Sequence, residues 1–253
     1  IATSMAASLA TVSAQAGVSP EQAAQLGKTL TPMGAEMAGN ADGSIPPWNP
    51  EGTPVAADFV PGSNNYVNPY PDEKPLYTIN ASNWKEHADY LTPGTQAMFE
   101  KYGADGWEMQ VYPSHRGTVR PDWFYANTLK NATDASLVAE GQKIEGNYPG
   151  VPFPIPQSGL EVMWNQMIRY GVDASQTYDT YYVDSSGTPI LATSAFSTSV
   201  FPMFKTPDEP VGDKAWTKLR INYEAPARRA GEILLVHEPG ADYTEGKGRS
   251  AWQ

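Results

Sequence analysis

Trp216-Thr-Lys-Leu-Arg-Ile-Asn-Tyr-Glu224 is the stretch that decides the fold. Thr217, Leu219, Ile221 and Tyr223 alternate with Lys218, Arg220 and Asn222. That is the period of two which sends successive side chains to opposite faces of a strand. Behind it, Gly231 to Glu238 holds the continuous apolar run Ile233-Leu-Leu-Val236, and Pro226-Ala-Arg-Arg-Ala230 makes the connection. Ahead of it, Thr177 to Asp184 and Thr188 to Thr198 are two Tyr-, Thr- and Ile-rich runs joined at Ser185-Ser-Gly187, a hairpin signature. Strands linked so briefly imply an antiparallel meander with one face on a core and the other toward water. A further strand is expected to begin at Ser250, after the turn-like Glu245-Gly-Lys-Gly248.

Just before the meander, Ser158-Gly-Leu-Glu161 reads as a capping box. It opens a helix from Ser158 to Tyr170, with Leu160, Met163, Trp164, Met167 and Ile168 on one face. Upstream, the chain is a series of helical segments between Pro-rich connections. Ser19-Pro20-Glu21-Gln22 caps a short helix that should stop at Gly27, and Thr31-Pro32 offers one more helical turn. Asn40 to Pro47 must be a loop, and residues 49–75 run extended over a surface. Asn80 caps a segment presenting Trp84, Ala88 and Leu91, and Thr92-Pro93 starts another that ends at Gly103. Glu108 to Tyr112 is a short strand, and Pro121 to Lys130 reads helical. The expected organisation is therefore α+β: residues 17–157 helical and loop-rich, then residues 158–253 as a capping helix with antiparallel strands.

Residues 1–16 are free of charge and end in Ala14-Gln15-Ala16, the small-x-small pattern before a signal-peptidase cut. They read as the remnant of a secretory signal, which places the remainder in the periplasm. With Ser250 to Gln253 opening a strand, the chain reads as a fragment whose sheet is unfinished. Its 253 residues carry 17 basic and 28 acidic side chains, a formal charge of −11, and no cysteine. The acidity argues against nucleic-acid binding. The missing cysteine excludes disulfides, thiolate metal sites, a thiol nucleophile and a lipid anchor on Cys. Glycine (22) and proline (23) exceed their average share and point to many turns. No run is long and apolar enough to span a bilayer.

Catalytic motifs are missing. His87, His115 and His237 lie far apart, without the spacing that pairs metal ligands on one helix, so no metal is expected. No G-x-S-x-G elbow is present, and Ser114-His115 are mere neighbours, whose loop with Arg116 and Arg120 is an anion site or a solvated turn. Carboxylates are abundant, but Asp72-Glu73 and Asp208-Glu209 sit beside prolines as turn residues do. No phosphate-binding glycine motif occurs, and no cofactor is expected. Two features remain as binding candidates. Arg228 and Arg229 at a strand connection would hold an anionic headgroup or carboxylate, or else form an ordinary sheet-edge charge pair. Met163, Trp164, Met167 and Tyr182 would line a cavity for an apolar ligand, or else fill a core.

Several blocks together resemble a known family: Leu30-Thr-Pro-Met-Gly-Ala-Glu-Met-Ala-Gly-Asn-Ala-Asp-Gly-Ser-Ile-Pro-Pro-Trp48, Tyr70-Pro-Asp-Glu-Lys-Pro-Leu-Tyr77, Val111-Tyr-Pro-Ser-His-Arg116, Ile144-Glu-Gly-Asn-Tyr-Pro-Gly-Val-Pro-Phe-Pro-Ile-Pro156 and Pro226-Ala-Arg-Arg-Ala-Gly-Glu-Ile-Leu-Leu-Val236. They are similar to the proteobacterial periplasmic domain-of-unknown-function 1329 family, described as outer-membrane lipoprotein-sorting-like. The resemblance implies a LolA/LolB-like fold, in which a curved antiparallel sheet forms an incomplete barrel closed over by helices and holds acyl chains. It transfers no catalytic residue. The expected function is a non-enzymatic periplasmic protein binding or carrying a lipid, acyl chain or lipoprotein. The alternatives are an adaptor of an envelope export complex and a periplasmic hydrolase using acidic residues.

Overall fold

The computed structural model of the chain describes residues 17–63 and 67–253, so the expected signal segment at 1–16 lies outside the described residues. In chain order it forms α1 (Pro20–Ala23), β1 (Tyr77–Ile79), a 3₁₀ helix (Trp84–Tyr90), α2 (Pro93–Tyr102), β2 (Met109–Val111), α3 (Asp122–Asp134), β3 (Ser136–Val138), β4 (Lys143–Glu145), α4 (Gly159–Met167), β5 (Ala174–Val183), β6 (Pro189–Val200), β7 (Ala215–Ala225), β8 (Ile233–Pro239) and β9 (Ser250–Trp252). Contacts group these into two units, one of residues up to Ala35 together with Arg120–Gln253, the other Glu36–Val119.

In the Glu36–Val119 unit, β1 and β2 pair antiparallel, with Ile79 opposite Met109. Ile79, Trp84 and Phe99 are buried together and packed by Leu91, Trp107, Met109 and Val111. Thr92 caps α2 by accepting from the Thr95 amide at 3.2 Å, as the Thr-Pro start suggests. The segment expected to form a helix after Asn80 is a 3₁₀ helix instead. The Asn80 side chain accepts from the Ser82 amide (2.9 Å), and Asn83 accepts from the Asn80 amide (2.8 Å) and donates to the Thr78 carbonyl (3.0 Å). These asparagines bond nearby backbone and favour a tight turn over α-helix. The Pro-rich chain before β1 is fastened by Arg116, whose guanidinium donates to the carbonyls of Ala38 and Pro46 (both 3.0 Å) and of Glu36.

The larger unit is built on an antiparallel sheet of order β5-β6-β7-β8-β9, an open sheet with β5 and β9 at its edges. The alternating runs fall in these strands, and β9 begins at Ser250. The β5–β6 turn is closed by Asp184, whose carboxylate accepts from the amides of Ser186 (2.8 Å) and Thr188 (3.0 Å), with Gly187 at φ +83°. Leu219, Ile221, Leu234 and Val236 share one face of the sheet by register, because Leu219 opposes Val236 and Ile221 opposes Leu234.

Its core does not run under the whole sheet. Ala135, Ile144, Phe153, Trp164, Ile168, Met203, Val211 and Ala241 are buried together. Met203 and Val211 lie in the β6–β7 connection and Ala241 just beyond β8, so this core sits at one end of the strands. At that end the 3₁₀ turn Pro202–Phe204 packs on β7.

Three details depart from the sequence reading. α4 stops at Met167, not Tyr170, and its apolar stripe divides: Trp164 (2% exposed) and Ile168 point into the core while Leu160, Val162 and Met163 face outward. Its capping is also one-sided, since Ser158 accepts from the Glu161 amide (3.3 Å) but the Glu161 carboxylate accepts from Gln157 rather than Ser158. Finally, Thr31-Pro32 forms a tight turn and no helix. The Thr31 hydroxyl accepts from Ala35 (3.1 Å), and Gly34 at φ +96° leaves helical space.

The inward face of α3 buries three polar side chains, Asn127, Thr128 and Asn131, beside Phe124 and Ala132. Asn127 donates to the carbonyls of Pro149 (3.1 Å) and Pro207 (2.7 Å), and Asn131 to those of Tyr148 (2.9 Å) and Val151 (3.1 Å). The amides of Tyr148 and Val151 return bonds to Asn131 (2.7 Å) and the Thr128 hydroxyl (3.0 Å). A Pro-rich loop has few internal hydrogen bonds, and buried carbonyls need donors. Gly150 permits the close approach, since a Cβ there would lie 2.8 Å from the Thr128 amide.

Candidate ligand-binding site

Where the core meets the sheet, Met167, Trp216, Glu238, Tyr243 and Arg249 line a concavity of about 550 Å³. Each lining side chain is held from behind. Trp216 donates its indole N–H to the Arg169 carbonyl at 2.8 Å, carries the Arg169 guanidinium 5.2 Å above its ring, and meets Phe201 edge-on at 5.5 Å. Tyr243 packs edge-on against Trp164 at 5.6 Å, and Trp164 is pinned by its own N–H to the Gly141 carbonyl at 2.9 Å. Met167 is the last residue of α4 and supplies an adaptable thioether wall.

One ion pair accompanies the apolar walls. Glu238 is buried and pairs with the Nε of Arg249, while the Tyr243 hydroxyl donates to its other oxygen at 3.4 Å. Burial, followed by the neighbouring Glu238 charge, pushes the Tyr243 phenol up to about 12, so it remains a donor at neutral pH. Arg249 is far more exposed than Glu238, with side-chain exposures of 68% and 10%. Its guanidinium therefore faces the solvent side of the pair. Three large side chains, those of Met167, Trp216 and Tyr243, thus stand beside one ion pair. Among the described residues, no three His, Asp or Glu side chains cluster closely enough for a metal ion. His115 bonds Glu73 at 2.8 Å and stacks on Tyr70 at 3.7 Å, rather than activating Ser114.

The candidate residues named from sequence divide between the two ends of the sheet. Met167 lines the concavity, and Trp164 supports it from the core through Tyr243. Met163 points to solvent, 56% exposed. Tyr182 lies beside the β5–β6 turn, opposite Ile190, and is exposed. Arg228 is exposed in the β7–β8 connection. Arg229 lies 3.7 Å over the Tyr223 ring, pairs with Glu232 at 3.1 Å and donates to the Thr193 hydroxyl at 3.2 Å. From Trp216 to Tyr223 the strand spans about 23 Å. Half-buried Leu219, Ile221, Leu234 and Val236 occupy the face between the two groups.

Trp216, Glu238, Tyr243 and Arg249 escaped the sequence reading. Strict alternation assigns Trp216 to the face of Lys218, but the ladder shifts register between Ala215 and Thr217. An extra residue there re-aims the side chain. Tyr243 and Arg249 lie in the β8–β9 connection, where no periodicity operates.

The fold and site together define an α+β protein whose open antiparallel sheet carries at one end a concavity walled by Met167, Trp216 and Tyr243 and by the Glu238–Arg249 ion pair. The chain belongs to the family described as "Protein of unknown function (DUF1329)", whose profile matches residues 78–253. It is 40% identical over 237 residues to "Uncharacterized protein PA3922" of Pseudomonas aeruginosa, covering 92% of this chain and 51% of the relative. It thus spans about half the length of the curated relative it matches. No solved structure matches it.

Proposed function

We propose that this is a non-enzymatic, exported protein of the periplasm that binds or carries a hydrophobic ligand, a lipid, acyl chain or lipoprotein, on a LolA/LolB-like half-barrel. The concavity walled by Met167, Trp216 and Tyr243 carries this reading. The aliphatic lane of Leu219, Ile221, Leu234 and Val236 extends from it along the same sheet face, and supports an elongated ligand. The charge-free segment ending Ala14-Gln15-Ala16 supports export.

The test is titration with a fluorescent fatty-acid probe. Trp216→Ala removes most of one apolar wall, an area whose burial against a ligand is worth about 1–2 kcal/mol, or roughly five- to thirtyfold in affinity. Saturable binding weakened by that factor is expected. Absence of saturable binding by the folded protein, or an affinity indifferent to Trp216→Ala and Met167→Ala, would overturn the proposal.

A further inference from the structure

The opposite face of the sheet has a different character. Alternation and register set three rows across it. Val200, Lys218, His237 and Ser250 form the first, and Ser175, Thr198, Arg220, Leu235 and Trp252 the second. Thr177, Phe196, Asn222 and Ile233 form the third.

Phe196, Ile233, Leu235 and Trp252 are exposed by 36%, 42%, 39% and 53%. Large apolar side chains are thus presented side by side over a sheet about 19 Å wide. Trp252 is set edge-on against His237 at 5.1 Å, which orients its ring beside the cations.

The two cations are the second observation. Among the described residues, neither Lys218 nor Arg220 has a carboxylate within ion-pair distance. In a chain of net charge −11, unpartnered neighbouring cations are unexpected. Of the acidic side chains at this face, Asp179 and Glu224 belong to its other end, about 20 Å along the strands from Lys218, and Asp173, beside Val200 just ahead of β5, is paired with Lys205. Cations interleaved with Trp, Phe and aliphatic groups suit the boundary of an anionic bilayer, where ammonium and guanidinium groups meet headgroups and aromatic rings sit at the same depth. A second copy of the chain fits poorly. A two-fold interface centred here would set Lys218 and Arg220 against themselves.

We infer that this face, through Lys218, Arg220, Leu235 and Trp252, docks the protein on an anionic lipid surface. Ligand binding takes place on the opposite face, so either property can fail without the other.

Co-sedimentation with phosphatidylcholine vesicles, with and without phosphatidylglycerol, tests the inference. Binding should require phosphatidylglycerol and fall as salt is raised. Each cation near such a surface contributes about fivefold, so Lys218→Glu with Arg220→Glu should reduce partitioning by at least roughly thirtyfold. Trp252→Ser should reduce it separately by removing the inserted ring. Both variants should keep the wild-type thermal midpoint and fatty-acid probe affinity, because the substituted side chains are exposed and lie off the concavity. Equal binding to both vesicles, no binding at low salt, displacement by inorganic phosphate at millimolar concentration, or a dimer that the same substitutions dissociate would each overturn it.

Discussion

Removing the Trp164 side chain separates the inner from the outer side of α4 most sharply. Trp164 is 2% exposed, belongs to the cluster with Ile144, Phe153, Ile168 and Met203, and donates its indole N–H to the Gly141 carbonyl. Trp164→Ala loses the transfer energy of a buried indole and leaves a cavity, a cost of about 3–5 kcal/mol. The orphaned Gly141 carbonyl adds about 1 kcal/mol. For a unit of this size each kcal/mol lowers the midpoint by about 2–4 °C, so a fall of roughly 10–20 °C is expected. Trp164→Phe, which keeps much of the volume but loses the donor, should cost about half as much. Met163→Ala, one residue earlier, removes a side chain that is 56% exposed and should change stability by no more than about 0.5 kcal/mol. Thermal and urea denaturation followed by far-UV circular dichroism gives all three values. Equal costs at 163 and 164 would refute the placement of α4, and with it the wall that supports Tyr243.

Other consequences concern polar groups. Asn131→Ala strips partners from the Tyr148 carbonyl and amide and the Val151 carbonyl, and should cost about 3 kcal/mol by urea denaturation. The Lys247 ammonium at 2.8 Å, then the Thr244 hydroxyl and amide, hold the Asp242 carboxyl well below the usual carboxylate range. A depressed folded pKa contributes stability that is present above the unfolded value near 3.9 and lost as pH falls below it. Stability of Asp242→Asn should accordingly depend less steeply on pH between about 5 and 2 than that of the wild type. Tyr243 has the opposite sign. With its phenol pushed up to about 12, its contribution is whole below the unfolded value near 10 and is lost as pH rises beyond it. In an ultraviolet titration, Tyr243→Phe should remove the latest-ionising tyrosine.

The meander was readable because β6, β7 and β8 have one face partly covered, and a period of two records that. Thr217, Leu219, Ile221 and Tyr223 fall on one face, and the turn at Ser185-Ser-Gly187 lies where its residue types put it. The α4 stripe was legible as a helix but not in its orientation. Leu160, Met163 and Trp164 all present large non-polar side chains on the same helix, and only the packing of the Pro-rich loop and the β6–β7 connection selects Trp164 and Ile168 for burial. α3 was harder still. Beside Phe124 and Ala132 its inner face buries Asn127, Thr128 and Asn131, residues that hydropathy assigns to solvent, because their partner is a Pro-rich loop whose carbonyls need donors. The concavity depends on the bulge at Trp216 and on the β8–β9 connection, which long-range contacts place beside Met167 and which leave no periodic trace.

Native mass spectrometry of the purified protein, with extraction and analysis of any bound lipid, is the sharpest test of ligand carriage. A population carrying one apolar or amphiphilic molecule, diminished in Trp216→Ala, is expected. Only the bare polypeptide mass, unchanged after incubation with fatty acids, would contradict it.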